Sequence, residues 1–170
     1  DPYEFTRAIT DLVMARGTTL RKGEAVRVET VGESTIVSLT NGEKITADKV
    51  VIACGAWSRT LAASLGNPVP LETERGYNTT LPAGSFDLAR QLYFNDHGFV
   101  VTPLSDGIRV GGAVELGGLH LPANFRRSEA MLKKASQFLP GLKTEGGKQW
   151  MGFRPSLPDS LPVIGPSRTA

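Results

Sequence analysis

Two turn dipeptides constrain this chain more than anything else in it. Asn41-Gly42 and Asp106-Gly107 are pairs that tolerate the positive φ of a two-residue hairpin connection. Each sits among short runs rich in Val, Ile and Thr, which favours antiparallel sheet over helix bundles or a purely parallel sheet. Around the first turn, residues 18–21, 25–31, 34–40 and 44–46 predict a small meander. Around the second, residues 72–80, 91–94, 98–102 and 108–114 predict a second sheet, with a last strand over 148–153.

Helices are expected at three places. Asp1-Pro2 offers a cap and a first-turn proline before Phe5, Ile9, Leu12 and Val13, which share one helical face, and Gly17 supplies a stop. A second helix is expected over 58–65, after the turn opened by Gly55. A third is expected over 128–139, where Ala130, Met131, Ala135 and Phe138 keep helical spacing until Pro140-Gly141. The uniformly apolar residues 50–54 (VVIAC) read as a strand buried on both faces. Residues 154–166 hold four of the eleven prolines and read as irregular. The fold class is therefore α+β, a mostly antiparallel sheet with helices on one side.

Composition narrows the function classes. With 19 basic and 17 acidic side chains the net charge is +2, too small a field to attract nucleic acid. No apolar run reaches the roughly 18 residues of a membrane span. Cys54 is the single cysteine, so no internal disulfide is available and a reducing compartment fits. The chain starts at Asp1 without Met and stops after Pro166-Ser167-Arg168, and we read it as an internal piece of a longer protein.

Among motifs, no G-x-G-x-x-G is present. Residues 112–117 have the glycine spacing of a phosphate loop, but Gly118 stands where lysine is required, so a plain turn is the better reading. Cys54 and His97 are not placed together by anything in the sequence; the cysteine fits as a small hydrophobe and the histidine as a turn residue. Three segments carry more. Residues 47–58 (ADKVVIACGAWS) deliver small residues to a loop where backbone can approach a flat ligand, or form an ordinary strand-turn-helix junction. Residues 150–155 (WMGFRP), followed by Pro158-Asp159 and residues 161–165 (LPVIG), put Arg154 beside rigid turns. A guanidinium there is preset to hold a carboxylate by two parallel hydrogen bonds, or pairs with Asp159 in solvent. Arg75-Gly76 brings backbone near a ligand or marks a strand kink.

Together these segments resemble the D-amino acid oxidase-like family of FAD-dependent oxidoreductases, in particular its bacterial D-amino acid dehydrogenase, glycine oxidase and sarcosine oxidase branches, over nearly the whole chain. The resemblance implies a partial remnant of an FAD-binding domain over 1–70, a substrate-binding domain over 71–153 and a return toward the flavin domain over 154–170. It implies FAD contacts at Val26, by a backbone group facing the adenine, and at Ala53, Cys54, Gly55 and Trp57 in the alanine-x-glycine-x-tryptophan stretch. It further implies cofactor contacts at Arg75 and Gly76, which resemble the crossing between domains, and at Gly165, in what resembles the loop beside the flavin ring. Arg154 looks like the arginine that binds the substrate carboxylate, with Phe99, Val100 and Phe153 as an apolar wall. Val100 stands where some relatives carry a substrate-contacting tyrosine.

The implied reaction oxidises a small amino acid to an imino acid. Glycerol 3-phosphate or an N-methyl amino acid is the alternative substrate class, and a scaffold or interaction module is the alternative of another kind. The glycine-rich pyrophosphate unit is absent from these residues, so the isolated piece is expected to hold FAD weakly or not at all, and its exposed edges to favour self-association. The implied location is cytoplasmic, with a partner subunit or the inner face of a membrane as further associations. Residues 53–55 and Arg154 are expected to face one cavity.

Overall fold

The computed structural model describes residues 1–167, and the reading of the chain end at Arg168 lies outside them. Two compact units divide the chain: Asp1–Leu71 together with the residues from Pro155 onward, and Glu72–Arg154.

The first unit opens with helix α1 (Pro2–Ala15). The Asp1 carboxylate accepts from the Tyr3 N–H at 2.8 Å, and Pro2 occupies the first turn, where a missing N–H costs nothing. Phe5, Ile9, Leu12 and Val13 share a face as their spacing requires, yet all are exposed and no residue of α1 is buried. Strands β1 (Ala25–Val31), β2 (Ser34–Leu39) and β3 (Lys44–Ala47) form an antiparallel meander in chain order. At the Asn41-Gly42 turn, Gly42 has φ +83° and the Asn41 side chain accepts from the Glu43 N–H at 3.0 Å. Helix α2 (Ser58–Ser64) follows a 3₁₀ turn at Gly55–Trp57 and covers β1. Val28, Ala56 and Leu61 are buried in this unit, and the Ser64 hydroxyl receives the Val28 N–H at 3.3 Å.

Two expectations for this unit are corrected. Residues 18–21 form no strand, and neither do residues 50–54, where Val51 is 87% exposed. A buried strand needs ladder partners on its neighbours and apolar cover on both faces. Among the described residues no strand pairs with 50–54. The uniform apolar run marks a segment that would be buried between neighbours; it cannot create them.

The second unit is built on a five-stranded sheet of order β5-β6-β7-β4-β8, from β4 (Glu72–Pro82), β5 (Leu92–Phe94), β6 (Phe99–Leu104), β7 (Gly107–Leu116) and β8 (Lys148–Ser156). The pairs β5–β6, β6–β7 and β4–β7 are antiparallel, and the β6–β7 turn lies one residue earlier than Asp106-Gly107 implies, with Ser105-Asp106 connecting the strands and Gly107 already paired with Leu104. Helix α3 (Arg126–Phe138) lies on one face only. Its Met131 and Ala135, with Leu139 and Leu142 beyond it, pack on Leu81, Phe99, Val101, Ile108 and Val110. A bulge between Tyr77 and Asn78 pairs them with Ala113 and Gly111, leaving Gly112 unopposed at φ +146°. A Cβ there would come within 2.4 Å of the Gly98 carbonyl oxygen, so only glycine fits. The architecture is α+β.

Candidate functional site

Strand alternation sorts the second unit's residues between two faces. On β4, Arg75, Tyr77, Thr79 and Leu81 point to the α3 side and are buried, while Glu74, Gly76, Asn78 and Thr80 point away. The pairing carries the outer face across the sheet. Gly76 lies opposite Val114, Asn78 opposite Gly111 and Thr80 opposite Arg109, and Val100 and Thr102 of β6 pair with Gly111 and Arg109 in turn.

Arg154 belongs to this outer face. A Cβ at Gly76 would stand 2.8 Å from Arg154 Nη2 and 3.1 Å from its Cζ, so the guanidinium lies directly on the glycine. Its ion pair with Glu74 is long, 3.9 Å, and half the Arg154 side chain is exposed. Such a pair contributes little in solvent and yields to a better anion. The carboxylate of Asp159, the alternative partner that the sequence offered, accepts from the Leu161 N–H at 3.1 Å.

The expected apolar wall of Phe99, Val100 and Phe153 is split by the same alternation. Val100 is on the outer face with Gly111. Phe99 is 1% exposed and stacks on Phe94 at 4.3 Å within the core. The Phe153 ring lies 5.7 Å from the Arg75 guanidinium, on the face away from Arg154. Adjacent strand residues cannot line one surface, and this removes both phenylalanines from the face that carries Arg154.

Arg75 and Gly76 separate in the same way. Expected as a cofactor contact, the buried Arg75 instead donates from Nε to the Gly118 carbonyl at 2.8 Å, from Nη1 to the Pro122 carbonyl at 3.1 Å and from Nη2 to the Leu121 carbonyl. Glu115 accepts from Arg75 Nη1 at 3.5 Å and from the Tyr77 hydroxyl, and that hydroxyl accepts from the Asn124 N–H at 3.0 Å. The Tyr77 hydrogen bond, and then the charges of Arg127 and Arg75, hold the Glu115 carboxyl below the ordinary range against partial desolvation. The cluster fastens residues 117–124 to the sheet, and of the Arg75-Gly76 pair only Gly76 faces outward.

In the first unit an open cleft of about 690 Å³ is lined by Gly23, Glu24, Ala25, Val26, Cys54, Trp57, Thr60 and Leu61. Three of the residues expected near FAD therefore lie together: Val26, Cys54 and Trp57. Ala53 and Gly55 flank Cys54 on the chain, exposed, with Gly55 at φ +54°. The β1–β2 register jumps from Ala25 to Arg27, so Val26 has no partner on β2, and it lines the cleft. Gly165 is exposed, with open space at its Cα.

Two residues of the outer face escape sequence reading. Arg109 donates from Nε to Thr80 Oγ1 at 3.1 Å, and its guanidinium is 4.9 Å from the Trp150 ring centre. The Trp150 ring in turn fills the space over Gly152, where a Cβ would meet it at 2.9 Å. The i, i+2, i+4 spacing of Trp150, Gly152 and Arg154 is a legible signal; the placement of Arg109 beside them depends on register.

Known proteins bear on this geometry. The chain is 33% identical over its full length to a D-amino-acid oxidase of Bradyrhizobium diazoefficiens, and 35% identical over 99% of it to a D-amino acid dehydrogenase of Xanthobacter autotrophicus. It spans 41% of the length of each. Among solved structures, a glycine oxidase from Geobacillus kaustophilus superposes with TM-score 0.72 at 23% identity, over 84% of this chain and 38% of that one. An L-proline dehydrogenase from P. horikoshii gives TM-score 0.79 at 22% identity, over 98% and 46%. At these identities the structures show a shared fold. The family model described as FAD dependent oxidoreductase (DAO) matches residues 1–170, and the chain belongs to that family.

Proposed function

We propose that the full-length protein carrying this chain oxidises a small α-amino acid to an imino acid, which water hydrolyses to a keto acid. The observation that carries the reading is the Arg154 guanidinium, laid on Gly76 and, among the described residues, paired only at long range with Glu74. A planar fork in that state is ready to take a carboxylate through two parallel charge-assisted hydrogen bonds. FAD, when bound, supplies the two-electron acceptor for the α-hydrogen. Val26, Cys54 and Trp57, which line the first unit's cleft, would hold the adenine part of that cofactor.

The chain's own task is then to bind and orient. Arg154 fixes the carboxylate, Val100 and Thr102 offer the outer face a mixed apolar and polar surface, and Arg75 holds the adjoining loop in place. Positioning of this kind supplies several kcal/mol of a reaction barrier. In the full-length flavoprotein, Arg154→Ala raises KM for the amino acid by ten- to a hundredfold while the flavin stays bound, as read from steady-state kinetics and the flavin absorbance. Unchanged kinetics in that variant end the assignment.

A further inference from the structure

Arg154 is not the only cation on its face. Arg109 is held from one side by Thr80 Oγ1 and from another by the Trp150 indole. Its side chain is half-buried, and among the described residues no carboxylate reaches ion-pairing distance of it. A guanidinium fixed by a hydroxyl and an aromatic ring keeps further N–H donors that suit an oxyanion.

The two cations lie against Gly76 and Thr80, which are four residues apart on one face of β4, about 13 Å at a rise of ~3.3 Å per residue. A carboxylate held bidentate places its carbon roughly 4 Å from the guanidinium carbon. The two carboxyl carbons of a four- or five-carbon diacid stand about 4–5 Å apart, given C–C bonds of about 1.5 Å. A diacid therefore bridges the two guanidiniums, and a monoacid leaves one of them empty. Gly111 has the Asn78 side chain folded onto it, and Gly152 carries the Trp150 ring over it.

Resting on the reading of Arg154 as the carboxylate clamp, we infer that the substrate is a dicarboxylic α-amino acid. Its α-carboxylate sits on Arg154 and its side-chain carboxylate on Arg109, with the Asn78 amide between them. Arg109 is then the residue that sets substrate class.

The test uses the full-length flavoprotein with racemic glutamate and racemic norvaline, five-carbon amino acids that differ in the second carboxylate. The inference expects kcat/KM to favour glutamate by tenfold or more. It expects Arg109→Gln to reduce the glutamate-to-norvaline ratio ten- to a hundredfold, through KM rather than kcat, and Arg109→Lys to recover part of it. Calorimetry on the unmutated protein supplies a readout free of turnover and of folding changes, with glutarate expected to bind at least tenfold more tightly than butyrate. Equal use of glutamate and norvaline, or equal binding of glutarate and butyrate, overturns the inference. So does an unchanged ratio in folded Arg109→Gln. If Arg154→Ala raises KM for both amino acids while Arg109→Gln moves neither, the clamp stands and only the dicarboxylate assignment fails. If Arg154→Ala moves neither, both fall.

Discussion

Gly76→Ala tests the geometry of the clamp without touching the clamp itself. The new Cβ would stand 2.8 Å from Arg154 Nη2, 3.1 Å from Cζ and 3.5 Å from Nε. Restoring a contact of ~3.5 Å requires the guanidinium to retreat by about 0.7 Å. The retreat is easy, because the side chain is long, half exposed and only loosely paired with Glu74. Stability should therefore change by less than ~1 kcal/mol, within the range of ordinary surface substitutions. Binding should not be so tolerant, since a bidentate clamp displaced by close to 1 Å loses roughly ten- to a hundredfold. The assay is steady-state kinetics of the full-length flavoprotein beside urea unfolding of the same preparations. A Gly76→Ala variant with normal KM, alongside an Arg154→Ala variant whose KM has risen, would show that carboxylate binding does not depend on the guanidinium lying over β4. A large loss of stability would refute the claim that the arginine is free to move.

Phe99→Ala should cost about 3–5 kcal/mol of unfolding free energy by denaturant titration, because the ring is fully buried between Phe94 and Phe138; a loss below about 1 kcal/mol would contradict its place in the core. Glu115 has a lowered pKa in the folded protein, so it contributes stability at pH values above the unfolded glutamate pKa of about 4.3, and that contribution disappears as pH falls through the folded value. Unfolding measured at pH 7 and again near pH 3 should accordingly show Glu115→Gln destabilised at the higher pH and converging on the parent at the lower, and a gap that widens in acid would reverse the assigned sign.

How much of this was legible in the sequence can be argued element by element. Asn41-Gly42 sits where its hairpin turns, Asp106-Gly107 marks the second hairpin to within one residue, the Asp1 cap and Pro2 begin the first helix, and Met131 and Ala135 face the core at helical spacing. These are local properties, set by φ preferences, cap chemistry and periodicity within a few residues. The Gly-Phe-Arg-Pro segment and the stretch around Cys54 and Trp57 each allowed two readings on local chemistry alone, and the roles expected of them came from a family resemblance.

Which residues share a surface was another matter. Residues 50–54 have every local mark of a buried strand, yet a strand exists only where a neighbour accepts its hydrogen bonds, and among the described residues none does. The bulge at Tyr77/Asn78 decides that Gly111 and Arg109 reach the outer face. The period-two alternation of β6 and β8 sends Phe99 and Phe153 away from Arg154, and the acceptors offered by residues 118–122 turn Arg75 from a ligand contact into a brace. Local chemistry determined the elements; only pairing between distant strands determined which side chains share a face with Arg154, because register is a relation between segments and is written in neither of them alone.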